Sequence, residues 1–330
     1  MLRINRHDRV IDSTLVMGVV NASPESFSDR GEVGSFAQRV ELVDELVGAG
    51  ADIIDVGGQS AITNQPEIAA EEELERVVPI VEWLRAKYPH VLVSVDTYKP
   101  PVVEATLAAG ASIINDVSGL LYPEVVDSCV RHDAGLVVMH TRARPKTRLQ
   151  DQGLYDDVTS DVVEFLQDRV DLAVSRGLLR SAVIVDPGPD FTKTPYQTVE
   201  MLRGLDRVRA LGRPVLLALS RKDFLGAITG QAPRGREAAT HAAIAYFAST
   251  PGTIVRVHDV RAAIDVIATV EVLAGLKHLD PGYLLPDEIR HEPKHTRRSA
   301  GGSVARDDAR HPGPSPGPAP AAPRRSATLT

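Results

Sequence analysis

The sequence predicts a (β/α)₈ TIM barrel, an α/β fold, on three observations. Short apolar runs recur along the chain, segments with helical periodicity lie between most of them, and a polar residue follows each run. A doubly wound open sheet would show the same alternation, and the number of strands alone does not separate the two folds. The eight predicted strands are Leu15–Val20, Asp52–Val56, Val91–Val95, Ala111–Ile114, Gly135–Met139, Ala182–Val185, Pro214–Leu219 and Thr253–Val257.

The predicted helices show apolar stripes at helical spacing. Phe36, Val40, Val43 and Val47 form the first stripe, and Gly50 follows as a C-terminal cap. The second stripe begins after acidic residues that suit a helix N-terminus. The second and third stripes are Leu74, Val77, Val78 and Val81, and Val162, Phe165, Val170 and Leu172.

The polar residues after the strands favour the closed barrel. In a barrel all eight strand ends meet at one rim, so these side chains would share one pocket. In an open sheet, strands far from the switch point would have no ligand to contact. The residues at the strand ends are Asn21, Gly57-Gly58, Asp96, Asn115, His140, Asp186, Ser220-Arg221-Lys222, and Arg256 with His258.

Composition restricts the class of protein. The 330 residues are 43% hydrophobic and 25% charged, which is ordinary for a globular chain with a full core. A net charge of −7 disfavours nonspecific nucleic-acid binding, and no apolar run reaches membrane-spanning length. Cys129 is the only cysteine, and the N-terminus lacks an apolar signal segment. We therefore expect a cytoplasmic protein with neither nucleic-acid nor membrane partners.

The C-terminal part differs in composition from the rest of the chain. We predict a barrel over residues 1–279 and a tail over 280–330 that is rich in Pro, Ala, Gly, Ser and Arg. The segment His311–Pro323 is of low complexity and cannot bury enough apolar surface to offset the entropy of ordering it. The tail is therefore predicted to be disordered.

The residues at the predicted rim suggest a ligand. Asp96, Asn115 and Asp186 can together accept hydrogen bonds from the N–H groups of a flat, guanidine-like ring edge. Ser220–Lys222 and Arg256–Asp259 follow the last two strands, where barrels often hold phosphate. These residues point to a donor-rich heterocycle beside a phosphate or diphosphate. Any metal would be a hard cation such as Mg²⁺ bound with a diphosphate.

The motifs also carry a resemblance to a known family. From about Val16 to Ala268 the chain contains NASPESFSDRG, DIIDVGGQS, EEELERVVP, SVDTYKP, INDVSG, VVMH, VDPGPDFTKT, LSRKDFLG and IVRVHDV. In this order they resemble the dihydropteroate synthases of the pterin-binding (β/α)₈ family. The resemblance implies condensation of 6-hydroxymethyl-7,8-dihydropterin diphosphate with p-aminobenzoate, giving dihydropteroate and diphosphate in folate biosynthesis. It also implies Mg²⁺ as cofactor and a homodimer.

The resemblance assigns roles to individual residues. Asp96, Asn115 and Asp186 would hydrogen-bond the pterin ring, and Lys222 would contact its carbonyl and a ring nitrogen. Arg256 would stack on the pterin, and Asn21 would contact both the diphosphate and Mg²⁺. The implied catalytic residues are Asn21, Lys222, Arg256 and His258; Ser60, Ser220, Arg256 and His258 are the remaining implied substrate-binding residues.

Several residues depart from the family pattern, most of them in loops. Where the family reads GGESTRPG, this chain reads GGQSAITN over 57–64, so that Ala61, Ile62 and Thr63 replace a hydroxyl residue, an arginine and a proline. The other departures are Glu25 for Asp, and Arg30, Ala218 and Asp190 at glycine positions. The pterin side of the pocket is expected to be complete and the aminobenzoate side altered.

The departures leave alternatives open. A diverged paralogue could bind a pterin in a regulatory role or join it to a different acceptor. A corrinoid-linked methyltetrahydrofolate methyltransferase shares the barrel and the pterin-binding residues. The anion site formed by Ser220–Lys222 and Arg256–Asp259 argues against the methyltransferase, because its substrate has no diphosphate.

Overall fold

The computed structural model describes residues 2–4, 7–9, 11–22, 35–60, 63 and 66–291. Eight parallel strands form a closed barrel in which each strand pairs with the next along the chain and the last pairs with the first. The prediction of a (β/α)₈ barrel is confirmed, and the open sheet is excluded because the last strand, Thr253–Val257, pairs with both Leu15–Asn21 and Val215–Leu217. The barrel strands are β3 (Leu15–Asn21), β4 (Ile53–Gly57), β5 (Leu92–Asp96), β6 (Ile113–Asp116), β7 (Gly135–Met139), β8 (Val183–Asp186), β9 (Val215–Leu217) and β10 (Thr253–Val257).

Helices lie between the strands and cover the barrel. The three predicted stripes fall in α1, α2 and α5, and Ser35 caps α1 with a capping box in which Gln38 is the partner. Gly50 follows α1 with a φ of 102°, a conformation that glycine adopts without strain. The helices are α1 (Phe36–Gly48), α2 (Ala70–Lys87), α3 (Pro100–Ala108), α4 (Glu124–Arg131), α5 (Val158–Ser175), α6 (Pro195–Arg203), α7 (Leu205–Arg209), α8 (Asp223–Thr229), α9 (Glu237–Phe247) and α10 (Val260–Leu273).

Alternate residues of each strand face the barrel interior and the surrounding helices. The interior cluster includes Met17, Ile53, Ile113, Val137, Ile184, Leu216 and Ile254. A larger cluster joins the opposite strand faces to the helices, with Val16, Ile54 and Val138 among its members. This alternation decides which polar residues at the strand ends can face a common pocket, since side chains two positions apart lie on the same face of a strand.

A short hairpin precedes the barrel and was not predicted from the sequence. Strands β1 (Leu2–Ile4) and β2 (His7–Arg9) pair antiparallel. Leu2 is fully buried and packs in the interior cluster together with Ile11. The N-terminal segment therefore contributes to the barrel core.

The chain divides into two units, Met1–Leu279 and Asp280–Thr330. The described part of the second unit contains a short 3₁₀ turn over Asp287–Ile289. The low-complexity segment lies outside the described residues, so its disorder stays a prediction. Across the residues that are described, every helix is too short or too polar to cross a bilayer.

Candidate active site at the C-terminal rim

The strand register places several of the predicted residues in one row across the barrel rim. Asn21 of β3 pairs with Gly57 of β4, Gly57 with Asp96 of β5, and Asp96 with Asn115 of β6. Asn21, Asp96 and Asn115 each lie two or four residues beyond an interior-facing residue of the same strand, so their side chains point into the barrel mouth. A Cβ added at Gly57 would lie 3.9 Å from Asn21 Oδ1 and 3.6 Å from Asp96 Cβ. Glycine therefore leaves open the space between these two polar groups.

An ion-pair network lies below this row. The Arg256 guanidinium donates from Nε to Asp55 Oδ2 at 2.6 Å and from Nη2 to Asp96 Oδ2 at 3.1 Å. Asp55 is fully buried and also accepts from Ser94 Oγ at 2.6 Å and Asn115 Nδ2 at 3.2 Å. The network fixes Arg256, Asp96 and Asn115 relative to one another. Burial raises the pKa of Asp96, and Arg256 opposes that shift.

Asp55 was missed as a site residue in the sequence analysis. It lies inside an apolar strand, two residues before Gly57, and therefore on the same inward face. This spacing indicates a site residue, because a carboxylate on the interior face of a barrel strand needs a cationic partner.

Asp186 and Lys222 lie near each other on the next part of the rim. Asp186 is 3% exposed and accepts a hydrogen bond from Gly188 N at 2.7 Å. Burial raises the pKa of Asp186 to about 6, although the Gly188 amide and the charge of Lys222 oppose the rise. The Lys222 ammonium lies 4.4 Å from the centroid of the Phe191 ring. Asn115 Oδ1 is buried and has no hydrogen-bond partner, as expected of an acceptor that faces a ligand.

The ends of β9 and β10 bring hydroxyl, imidazole and cationic groups together. Ser220 Oγ lies 2.9 Å from His258 Nδ1. The surrounding protein desolvates the His258 ring, and the charges of Arg221, Arg256 and Lys222 add to the effect, so that its pKa falls to about 4. The clustered positive charge makes this end of the rim suited to an anion.

A pocket of about 390 Å³ opens beside these groups. Of the predicted residues, Ser60, Asp96 and Lys222 line it, and so does Thr63. Asn115 and Asp186 are almost completely buried, and Arg256 reaches the pocket wall through its contact with Asp96. The predicted residues are thus brought to one end of the barrel, while their individual roles stay predictions.

The prediction that His140 shares the pocket is wrong. His140 is fully buried, its Nε2 lies 2.9 Å from Asp161 Oδ1, and its ring packs 5.0 Å from that of Phe165 on α5. His140 follows Met139, which lies an even number of residues beyond interior-facing Val137, so its side chain points outward. Lys193 Nζ lies 2.8 Å from His140 Nδ1 and donates to the Gly188 carbonyl at 3.0 Å, and so anchors the segment after β8.

Asp190 occupies a left-handed backbone position with a φ of 64°. Its carboxylate accepts from Asp223 N at 2.6 Å, Phe224 N at 3.3 Å and Thr198 Oγ1 at 3.0 Å. These bonds link the segment after β8 to the first turn of α8 and to α6.

Of the other departures from the family pattern, Ala218 is 9% exposed at the end of β9, and Glu25, Arg30, Ala61 and Ile62 lie outside the described residues.

The rim offers an oxygen ligand that fits a hard cation. The Asn21 side-chain amide lies half-buried at the end of β3, near the Asp96 carboxylate. Among the described residues no three His, Cys, Asp or Glu side chains are grouped as a metal site. Mg²⁺ is commonly held by one or two protein oxygens together with substrate phosphates. Asn21 therefore fits a metal that is bound jointly with a diphosphate.

The fold and this site define a barrel protein whose C-terminal rim places buried hydrogen-bond acceptors next to cationic side chains. The family model described as "Pterin binding enzyme" matches residues 17–258. The chain belongs to this family of pterin-binding enzymes.

Individual relatives agree with the family. The dihydropteroate synthase of Streptococcus pyogenes is 39% identical over 268 residues, which are 80% of this chain and 97% of that protein. Xanthomonas albilineans dihydropteroate synthase, solved with 4-aminobenzoic acid, matches with a TM-score of 0.75 and 36% identity, covering 82% of this chain and 98% of that one. Burkholderia cenocepacia dihydropteroate synthase, solved with 7,8-dihydropteroate, matches with a TM-score of 0.73 and 34% identity, covering 83% and 96%.

Proposed function

We propose that this protein is a dihydropteroate synthase. It joins 6-hydroxymethyl-7,8-dihydropterin diphosphate to p-aminobenzoate, giving dihydropteroate and diphosphate. The observation that carries the proposal is the convergence of Asp96, Asn115, Asp186, Lys222 and Arg256 at one end of the barrel. This set combines acceptors for a heterocycle edge with cations for a leaving anion.

The buried acceptors orient the pterin. Asp186 accepts from the N–H groups of the aminopyrimidine edge, and the unpartnered Asn115 Oδ1 supplies a further acceptor. Lys222 contributes donors to the ring carbonyl and a ring nitrogen. Because the Asp55 network already fixes Arg256 and Asn115, the site requires little reorganisation when the substrate binds.

The cationic end of the rim stabilises the leaving group. The bond between the pterin methylene carbon and the diphosphate oxygen breaks, and Arg256, His258 and Ser220 bind the charge that develops. The aryl amine nitrogen then forms a bond to the methylene carbon and loses a proton to solvent. The residues need only stabilise the anion and hold the two substrates together, so no covalent nucleophile is required.

Mg²⁺, cytoplasmic location and a homodimer complete the proposal. Bound at Asn21 together with the diphosphate, Mg²⁺ would supply positive charge to the leaving group. A single buried, unpaired cysteine suits a reducing compartment.

The dimer is supported by exposed apolar side chains on the neighbouring helices α9 and α10, Tyr246 at 76% and Leu273 at 83% exposure. Sedimentation of the full chain would test the dimer.

Release of diphosphate tests the proposed reaction. With the pterin diphosphate and Mg²⁺ present, we expect diphosphate to appear only after p-aminobenzoate is added, in equal amount to dihydropteroate. A protein that binds the pterin diphosphate by calorimetry but releases no diphosphate would instead be the diverged pterin-binding paralogue.

Pterin affinity is expected to fall in acid. Asp186 accepts ligand N–H groups as a charged acceptor with both oxygens only when it is ionised, and its pKa is about 6. A protonated Asp186 must lose its proton before it can bind the pterin in this way, so the titration of Asp186 by itself lowers the affinity about tenfold between pH 7 and pH 5. Burial raises the pKa of Asp96 to about 7, so Asp96 loses its charge over the same range and adds to the fall. Calorimetric titrations across this range measure the effect. An affinity that stays constant, or that rises toward pH 5, would contradict the assigned role of Asp186.

A further inference from the structure

The outer part of the pocket carries cations on one segment between β7 and α5. Arg144, Lys146 and Arg148 from this segment line the same 390 Å³ pocket as Asp96 and Lys222. Arg144 and Arg148 are exposed at its mouth. Positive charge is therefore concentrated where a second substrate would approach the bound pterin.

The two arginines differ from their neighbours in their partners. Arg142 on the same segment pairs with Asp161, Arg221 pairs with Glu237, and Arg236 donates to Asp223 at 2.9 Å. Within the described parts of the chain, neither Arg144 nor Arg148 pairs with a carboxylate. Arg148 donates to the Gln150 side-chain oxygen at 3.1 Å.

Other residues that line the pocket present negative charge. The Asp190 carboxylate accepts from the amides of Asp223 and Phe224, the first two residues of α8, and Asp223 is itself an exposed carboxylate. Because Asp190 already satisfies these two amide donors, they are not available to an incoming carboxylate. The two arginines offer the opposite charge with free donors.

We propose that Arg144 and Arg148 bind the carboxylate of the acceptor amine and so determine the selection of an anionic aryl amine. This inference rests on the proposed synthase function and specifies how its second substrate is recognised. Arginine suits the role because its planar donors match both oxygens of a carboxylate.

Kinetics with two acceptors test the inference. The Arg144→Ala/Arg148→Ala double variant is compared with wild type on p-aminobenzoate and on the neutral 4-aminobenzamide. We expect KM for p-aminobenzoate to rise about tenfold, with KM for the amide, kcat and the calorimetric pterin affinity unchanged. The Arg144→Lys/Arg148→Lys double variant keeps both positive charges, so its KM for p-aminobenzoate should lie between those of wild type and the double alanine variant. Arg203→Ala removes another exposed arginine, which does not line the pocket, and is the control.

The possible results distinguish the inference from the function on which it rests. An unchanged preference for the carboxylate in the double alanine variant, or an equal rise in KM for both acceptors, would overturn the inference. If wild type binds pterin but turns over neither acceptor, the proposed function fails. In that case, calorimetric binding of p-aminobenzoate to the pterin-loaded wild type and double variant still decides the inference, which predicts about tenfold weaker binding in the variant.

Discussion

Asp186→Ala is expected to cause the largest loss of pterin affinity of any single substitution at the rim. The variant removes the charged acceptor at the aminopyrimidine edge, and the loss of two charge-assisted hydrogen bonds lowers affinity by about hundredfold or more. Calorimetry with a pterin ligand at pH 7.5 measures the loss directly. The effect should be large because Asp186 is nearly inaccessible to water, which therefore cannot readily replace the missing acceptor.

Asp116→Ala is the matched control. Asp116 is also fully buried, accepts from the amide two residues later at 2.7 Å, and has a pKa that burial raises to about 6. It follows inward-facing Asn115 and so points away from the barrel interior. We expect this variant to retain pterin affinity. Equal losses in both variants would show that general damage to the rim, and not the acceptor at Asp186, causes the effect.

Arg256→Met is expected to damage both activity and stability. It leaves the fully buried Asp55 without its cationic partner, and breaking a buried ion pair in this way lowers the free energy of unfolding by about 3 kcal/mol. It also removes a cation that stabilises the leaving diphosphate. Urea denaturation and the diphosphate-release assay measure the two effects separately.

A second substitution separates the two roles of Arg256. Asp55→Asn in the Arg256→Met background removes the unpaired buried charge and keeps an acceptor for the Ser94 hydroxyl. We expect this double variant to recover much of the lost stability but none of the activity. If Arg256→Met unfolds at the same urea concentration as wild type, Asp55 does not depend on this ion pair.

The sequence predicts the barrel and most of its rim because both follow from local patterns. Each strand is a short apolar run, and Asn21, Asp96, Asn115 and Asp186 all stand where such a run ends. Strand parity then brings them into one mouth, as the row from Asn21 to Asn115 illustrates. The positions of the strand ends, together with the alternation of side chains along each strand, are sufficient for these four residues.

The contacts that fix the site depend on long-range geometry. The Asp55–Arg256 pair joins residues 201 positions apart, and their separation in space follows only once the barrel closes. The position of His140 after a strand predicts a side chain in the pocket, whereas its place in the alternation along the strand turns the side chain outward. Asp190 was identified as a departure from a glycine position, but its bonds to α6 and α8 could not be read from sequence.

A crystal structure of the protein soaked with a pterin and Mg²⁺ tests the central claim most directly. We predict that the pterin ring lies against Asp96, Asn115 and Asp186, with Lys222 at its carbonyl and the diphosphate position beside Arg256 and His258. A pterin bound elsewhere on the molecule, with this end of the barrel empty, would contradict the account.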